Sequence, residues 1–181
     1  LHKGMGCWLM GGSWQRLAHV ELSSAGDTLS SGTFSAKENL MVILYVVPSG
    51  TTNSRLRFNS DSGSNYSDRK QSNGGSDGTV TSQTSIRIGT GVSADQYQLN
   101  TVYITNKSDT EKLVIYESNK SATGAGTAPD RQEGVGKWAN TSDSITSIDF
   151  INTDSGDFAS GSYITVFGAS GDVVTDEKQT L

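Results

Sequence analysis

The chain is poor in several residue types, and each shortage excludes a class of protein. It has one cysteine, Cys7, so it cannot form an internal disulfide and its stability does not depend on an oxidising compartment. Only one of its two histidines, His19, lies in a predicted strand, and no catalytic motif accompanies it. Charged residues are 18% of the chain and the net charge is −5, which argues against duplex nucleic acid and anionic membranes as partners.

Long apolar runs are scarce as well. The only unbroken run covers residues 40–47 and is followed at once by Pro48, Ser49 and Gly50. A transmembrane helix needs about 20 apolar residues, so this run predicts no membrane insertion and must be buried inside protein. Its β-branched and aromatic content favours a central strand that is covered on both faces. A helix is the alternative, but no other segment offers an apolar face to cover it.

Turn-forming residues are abundant, with 21 glycines and many serines and threonines. Alternating segments recur about every ten residues without a helical period, which predicts roughly eight to ten strands in an antiparallel β-sandwich or barrel. The predicted fold is a single all-β sandwich of jelly-roll type. Besides the apolar run, the predicted strands cover residues 13–23, 28–36, 55–59, 84–88, 97–105, 112–117, 143–152 and 161–168.

The organisation that follows is an arm at residues 1–12, a β-sandwich domain at 13–168 and a polar tail at 169–181. The segments 97–105 and 112–117 form the clearest hairpin, because a stretch dense in turn formers joins them. Residues 70–82 are predicted to be a loop. Residues 119–136 are predicted to be the longest break, and loops of this length are usually functional or disordered.

One turn raises the question of a metal. Within residues 59–68, Asn59, Asp61, Gly63 and Asn65 fall at every second position, as in oxygen-rich calcium loops. The glycine and bidentate glutamate that an EF-hand loop requires are missing. We therefore favour a hairpin turn whose Asn, Asp and Gly supply the backbone conformations of a tight reversal. No motif for a cofactor is found, and none is predicted.

Two groups of side chains are candidates for binding. Trp138, Tyr66 and Tyr97 lie in or beside predicted loops, where exposed rings could stack on sugars. For Trp138 the alternative is a place in the core. The arm carries four apolar side chains that fit no alternating strand and suit packing on a neighbouring subunit, or folding back onto their own domain: Cys7, Trp8, Leu9 and Met10.

Catalysis is not predicted. Glycosidases need two carboxylates at a defined separation, and nothing in the sequence pairs the carboxylates that its acidic loops contain. No arrangement of serine or cysteine with histidine and aspartate can be built from two histidines. The carboxylates considered are Asp61, Asp68, Asp95, Asp149, Asp154 and Asp157.

Several segments together resemble the small structural proteins of tailed bacteriophages. They are the Trp14 strand, the run at 40–47, LRFNSDSGSNYSDR at 56–69, TSQTSIRIG at 81–89 and ITSIDFINTDSGDFASGSYITVFG at 145–168. The resemblance implies a non-enzymatic virion component with a jelly-roll fold, commonly trimeric, on the capsid surface or the tail. Its partners would be further copies of itself and shell proteins. The alternative is a receptor- or carbohydrate-binding module of a tail or fibre, whose partner would be a host-surface glycan.

Overall fold

The structure, a computed structural model, describes residues 13–89, 91–122 and 124–170. These ranges form twelve β-strands and contain no helix, and therefore none long and apolar enough to cross a membrane. The predicted arm at residues 1–12 and all but the first two residues of the predicted tail lie outside the described residues.

The strands follow one another with short connections, as the density of glycine and serine predicts. In chain order they are β1 (Gln15–Glu21), β2 (Thr28–Ser30), β3 (Asn39–Val46), β4 (Ser54–Phe58), β5 (Tyr66–Ser72), β6 (Gly78–Gln83), β7 (Ile86–Arg87), β8 (Gln98–Thr105), β9 (Lys112–Lys120), β10 (Asp130–Trp138), β11 (Ile148–Asn152) and β12 (Tyr163–Ala169).

The strands form two antiparallel sheets. The large sheet has the order β1-β12-β3-β8-β9-β10-β5-β6, and the small sheet has the order β2-β11-β4-β7. Every paired strand runs antiparallel to its neighbour. The prediction of an all-β, antiparallel chain is confirmed, and the arrangement is β-sandwich-like.

One hydrophobic core joins the two sheets. Along β3 the even-numbered side chains, from Leu40 to Val46, are fully buried, because alternate residues of a strand point to the same face. The small sheet contributes Leu56, Phe58 and Phe150, which are also fully buried and belong to the same cluster. The inner faces of both sheets therefore contribute to one core.

The outer face of β3 differs from the prediction. The strand is confirmed, since it pairs with β12 on one side and β8 on the other. The prediction that both its faces are covered is wrong: Met41, Ile43 and Tyr45 point away from the core and are only half-buried. Within the described part of the chain no second layer lies over them, and neighbouring side chains of the same face give them partial cover.

The predicted hairpin is confirmed, because β8 and β9 pair along their length. Two predicted loops are wrong. Residues 70–82 contain the end of β5 and most of β6, and residues 119–136 contain the end of β9 and most of β10. Both missed strands have few apolar residues: β6 is a polar edge strand, and β10 carries two glycines whose Cβ atoms would lie 2.5 Å from Tyr116 and 2.9 Å from Ile86.

Candidate functional site

A row of apolar side chains crosses the outer face of the large sheet. Five residues lie opposite one another on five adjacent strands, and we call them the apolar row: Phe167, Met41, Tyr103, Ile115 and Val135. The next residue at one end is Arg16 on β1, and at the other end it is Arg69 on β5. The row is therefore an apolar stripe with a cation at each end.

Much of this stripe is exposed to solvent. Ile115 is 60% exposed, Val135 51% and Tyr103 50%, and beside them Leu113 is 55% and Trp14 44% exposed. These side chains line a shallow groove of about 700 Å³ on the sheet surface. A contiguous apolar patch with this degree of exposure is typical of an interaction site, whereas single exposed apolar residues are ordinary.

The local sequence of β9 explains why the patch exists. Leu113, Val114, Ile115 and Tyr116 form a continuous apolar run, which is usual for strands that are buried on both faces. In this strand Val114 and Tyr116 face the core at 1% exposure, while Leu113 and Ile115 face solvent. The outer face of β9 therefore has apolar side chains typical of a buried surface, although these side chains are exposed to solvent.

Charged and polar groups surround the stripe. Arg69 pairs with Asp77 at 3.4 Å, and Lys137 pairs with Glu111 at 2.8 Å. All four side chains are partly exposed, so the pairs add little to stability. An apolar centre with a rim of opposite charges is the usual anatomy of a protein–protein interface.

A second group of rings lies on the same face, nearer its other end. Tyr97 is 49% exposed and stacks on Tyr45, with ring centroids 6.0 Å apart and planes at 8°. Tyr45 stacks in turn on Tyr163 at 5.5 Å, and His19 lies 5.7 Å from Tyr163. Burial first, and then the neighbouring Tyr97 and Tyr163, raise the pKa of the Tyr45 hydroxyl. The rings mainly cover one another, so few ring faces remain open.

The other two predicted binding aromatics are in the core. Trp138 is 1% exposed and Tyr66 is fully buried, and their rings stack 6.3 Å apart at 15°. Phe58 packs on both. The structure contradicts the expectation that these rings are exposed for sugar stacking, and it places Trp138 where the alternative interpretation put it. Burial also raises the pKa of the Tyr66 hydroxyl, which donates to backbone oxygens.

The segment at residues 59–68 is a turn tied to that aromatic cluster. The Asp61 carboxylate accepts hydrogen bonds from Gly63 N at 2.8 Å, Asn65 Nδ2 at 2.9 Å and Trp138 Nε1 at 2.7 Å. Burial raises the pKa of Asp61, but these hydrogen bonds outweigh it and hold the pKa below its usual value. In the ranges that the structure describes, no three His, Cys, Asp or Glu side chains form a group that could hold a metal ion.

Two more of the carboxylates considered for catalysis, Asp68 and Asp149, have structural contacts. Asp68 has no exposed side-chain area, and Arg87 donates to its Oδ1 from Nε at 2.8 Å and from Nη2 at 2.6 Å. Asp149 accepts hydrogen bonds from the hydroxyls of Ser30 and Ser60. These contacts hold strands and turns together.

The residues that best qualify as functional were missed by the sequence interpretation. Leu113 and Ile115 lay in a recognised strand, and the signal that could have singled them out was the absence of alternation in the apolar run. Val135 gave no signal, since its strand reads as a loop. The arm residues Cys7, Trp8, Leu9 and Met10 lie outside the described residues.

Comparison with known proteins gives no further assignment. No protein-family model, curated protein or solved structure matches the chain. The resemblance to phage structural proteins therefore stays a prediction.

Proposed function

We propose that the protein is a non-enzymatic structural subunit of a bacteriophage virion, which decorates or stabilises the virion surface through contacts between subunits. The observation that carries this proposal is the apolar row, together with the groove beside it. An apolar stripe across five strands, exposed at Tyr103, Ile115 and Val135, would be removed from water by the same face of another copy or by a shell protein.

The strand order supports a jelly roll as the finer fold. If the four strands β5, β6, β9 and β10 are set aside, eight remain, and they pair first with last, second with seventh, third with sixth and fourth with fifth. The same pairing is found in a single long hairpin that folds into a jelly roll. Successive pairs of strands then belong alternately to the large and the small sheet. Jelly rolls of eight strands are frequent in viral capsid proteins and in lectins.

The four additional strands support the assembly role. They extend the large sheet beyond β8, and β9 and β10 carry Leu113, Ile115 and Val135. The part of the sheet that exceeds the jelly roll thus holds the three most exposed of the large apolar side chains in the described residues. A homotrimer, the state implied by the resemblance, would bury three such faces around one threefold axis.

A pair of variants on one strand tests the proposal. Ile115→Asp puts a charge in the middle of the apolar row, and Asn119→Asp puts the same charge on the same face outside the row. We expect Ile115→Asp to lower the native mass to that of a monomer and Asn119→Asp to leave it unchanged, while circular dichroism shows that both variants keep the β-sheet fold. An unchanged native mass for Ile115→Asp would overturn the proposal.

A receptor- or carbohydrate-binding module is the second candidate, and one observation favours it. Tyr97 remains exposed at the end of the stacked rings, beside a small pocket of mainly apolar surface that Asn119 and Ser121 border. An aromatic ring with amide and hydroxyl groups near it can hold a sugar. On this account Tyr97→Ala abolishes retention on a glycan surface without lowering the thermal midpoint, whereas unchanged retention excludes it.

A further inference from the structure

A cation on the outer face of the large sheet has no carboxylate partner among the described residues. Arg16 on β1 is exposed and lies at one end of the apolar row. On the same face Arg69, Arg131 and Lys137 each pair with a carboxylate of their own chain. Arg16 therefore gives the β1 end of the face a positive charge that nothing in the described residues compensates.

A carboxylate on the same face is also without a partner. Glu117 on β9 lies directly opposite Glu133 on β10, and like charges in opposite positions of adjacent strands are destabilising. The Glu133 carboxylate accepts a hydrogen bond from Gln71 Nε2 at 2.6 Å and lies 3.7 Å from Arg131 Nη2. Glu117 is exposed, and its side chain makes no ion pair or hydrogen bond within the described ranges. The β9 region therefore has an excess of negative charge.

Apolar side chains accompany both charges in the same order along the chain. Trp14, which is 44% exposed, precedes Arg16 by two residues. On β9 the exposed side chains of Leu113 and Ile115 precede Glu117. Residues two apart in a strand lie on the same face. Each strand therefore presents apolar surface followed by a charge, and the two charges have opposite signs.

The register of the sheet puts the two strands at matching levels. Arg16 and Ile115 lie at the same level, because both are in line with the apolar row. Four antiparallel pairings separate β1 from β9, so the two strands run in the same direction. A rotation about an axis parallel to the strands changes neither level nor direction. β1 of a rotated second copy can therefore lie along β9 with Arg16 beside Ile115.

We propose that β1 of one copy packs along the outer face of β9 of a second copy, and that the guanidinium of Arg16 pairs with the carboxylate of Glu117. This inference rests on the proposed function and names a second copy of this chain as the partner. Residues two apart in a strand are separated by about 7 Å, which an arginine side chain spans while its apolar stem covers Ile115. Trp14 then lies over Leu113, and both side chains are removed from water.

The arrangement of the two strands allows the contact to close into a symmetric oligomer. Each copy offers one β1 and one β9, so the same contact repeats from copy to copy until the ring is complete. The two charges cannot meet within one chain, because four strand spacings, about 19 Å, separate β1 from β9. An exchange of the two charges that restores assembly therefore reports a contact between copies.

Charge reversal tests the pair. Arg16→Glu and Glu117→Arg each put like charges into the contact, and the double variant restores opposite charges in exchanged positions. Light scattering over a dilution series in reductant gives the protein concentration at which half of the oligomer dissociates. We expect each single variant to raise this concentration at least about tenfold, because like charges that face each other oppose association. The double variant should recover most of that loss.

Lys107→Glu is the matched control. It makes the same change of charge as Arg16→Glu at an exposed position in the turn between β8 and β9, and it should leave the dissociation unchanged. A mixture of Arg16→Glu and Glu117→Arg should assemble at a lower concentration than either variant alone, since each supplies the charge that the other lacks. Circular dichroism shows that every variant keeps the β-sheet fold.

Single variants that assemble like the wild type, or a double variant that assembles no better than the single variants, would overturn the inference. Ile115→Asp separates this result from a failure of the proposed function. If Ile115→Asp dissociates the oligomer and the charge reversals do not, the proposed function stands and the contact between Arg16 and Glu117 is wrong. A wild type that is monomeric at every concentration contradicts both.

Discussion

Trp138 is the side chain whose removal the structure predicts to be most costly. It is 1% exposed, its ring lies between those of Tyr66 and Phe58 at 6.3 and 5.8 Å, and its Nε1 donates to Asp61 at 2.7 Å. Truncation of a buried tryptophan to alanine costs about 3–5 kcal/mol. For a chain of this length, each kcal/mol lowers the thermal midpoint by about 2–4 °C. Trp138→Ala should therefore lower the midpoint by about 6–20 °C.

Trp138→Phe separates the packing from the hydrogen bond. It keeps an aromatic ring in the cluster but removes the donor to Asp61, and the loss of a hydrogen bond to a charged group costs about 1.5–3 kcal/mol. Both variants are measured by urea unfolding at neutral pH, followed by circular dichroism so that the missing tryptophan does not affect the signal. A loss below about 1 kcal/mol for Trp138→Ala, in the range of ordinary surface substitutions, would refute the core assignment.

The stability that the hydrogen bond from Trp138 to Asp61 contributes depends on pH, and the direction of this dependence follows from the pKa of Asp61. The hydrogen bonds to Asp61 hold its pKa in the folded state below its ordinary value, despite the opposing effect of burial. The stability they supply is present above the unfolded pKa, about 3.9, and is lost as the pH falls through the lower folded pKa. Trp138→Phe removes one of these donors. The folded pKa of Asp61 in this variant is therefore higher than that in the wild type. The stability difference between wild type and Trp138→Phe should stay constant above both folded pKa values and narrow as the pH falls from the variant's folded pKa to that of the wild type.

Two further predictions concern a close backbone approach and a buried ion pair. A Cβ at Gly156 would lie 2.5 Å from a backbone carbon of Gly50, so Gly156→Ala should lower the free energy of unfolding in urea by about 1–3 kcal/mol. Gly126 has open space around it, so Gly126→Ala should leave the free energy of unfolding nearly unchanged. Arg87→Met leaves the carboxylate of Asp68 buried without this cation and should cost about 3–5 kcal/mol. Adding Asp68→Asn to Arg87→Met should recover part of that loss, because the buried side chain is then uncharged; a double variant no more stable than Arg87→Met would contradict this reason for the loss.

The strands that were predictable are those that bury a regular apolar pattern. β3 was found because its residues from Leu40 to Val46 are all apolar, and the β8–β9 hairpin because a stretch dense in turn formers joins two segments with apolar residues. β10 was not predicted because glycines occupy two positions where an alternating strand would have apolar side chains. Gly134 and Gly136 are needed there because a Cβ atom would overlap with Tyr116 or Ile86. The partner that requires each glycine lies far away in the sequence, so only the fold reveals the reason.

The binding aromatics were harder to place than the strands. An aromatic ring beside a loop can point into the core or into solvent. Alternation of side chains along a strand does not by itself show which face of the strand is buried. Trp138 ends β10 and points inward, whereas Tyr97 precedes β8 and points outward. Ile115 and Leu113 point outward because Val114 and Tyr116 take the inner positions. The apolar row can be recognised only when the register of five strands is known, and no single segment of the sequence contains that register.

If the outer face of the large sheet joins subunits, the wild-type chain is an oligomer in solution, and its native mass shows whether it is. The measurement is light scattering across a range of protein concentrations, with reductant present so that Cys7 cannot link chains. The account predicts a discrete oligomer at a fixed multiple of 19.2 kDa, with a trimer expected. A mass of 19.2 kDa at every concentration would contradict it.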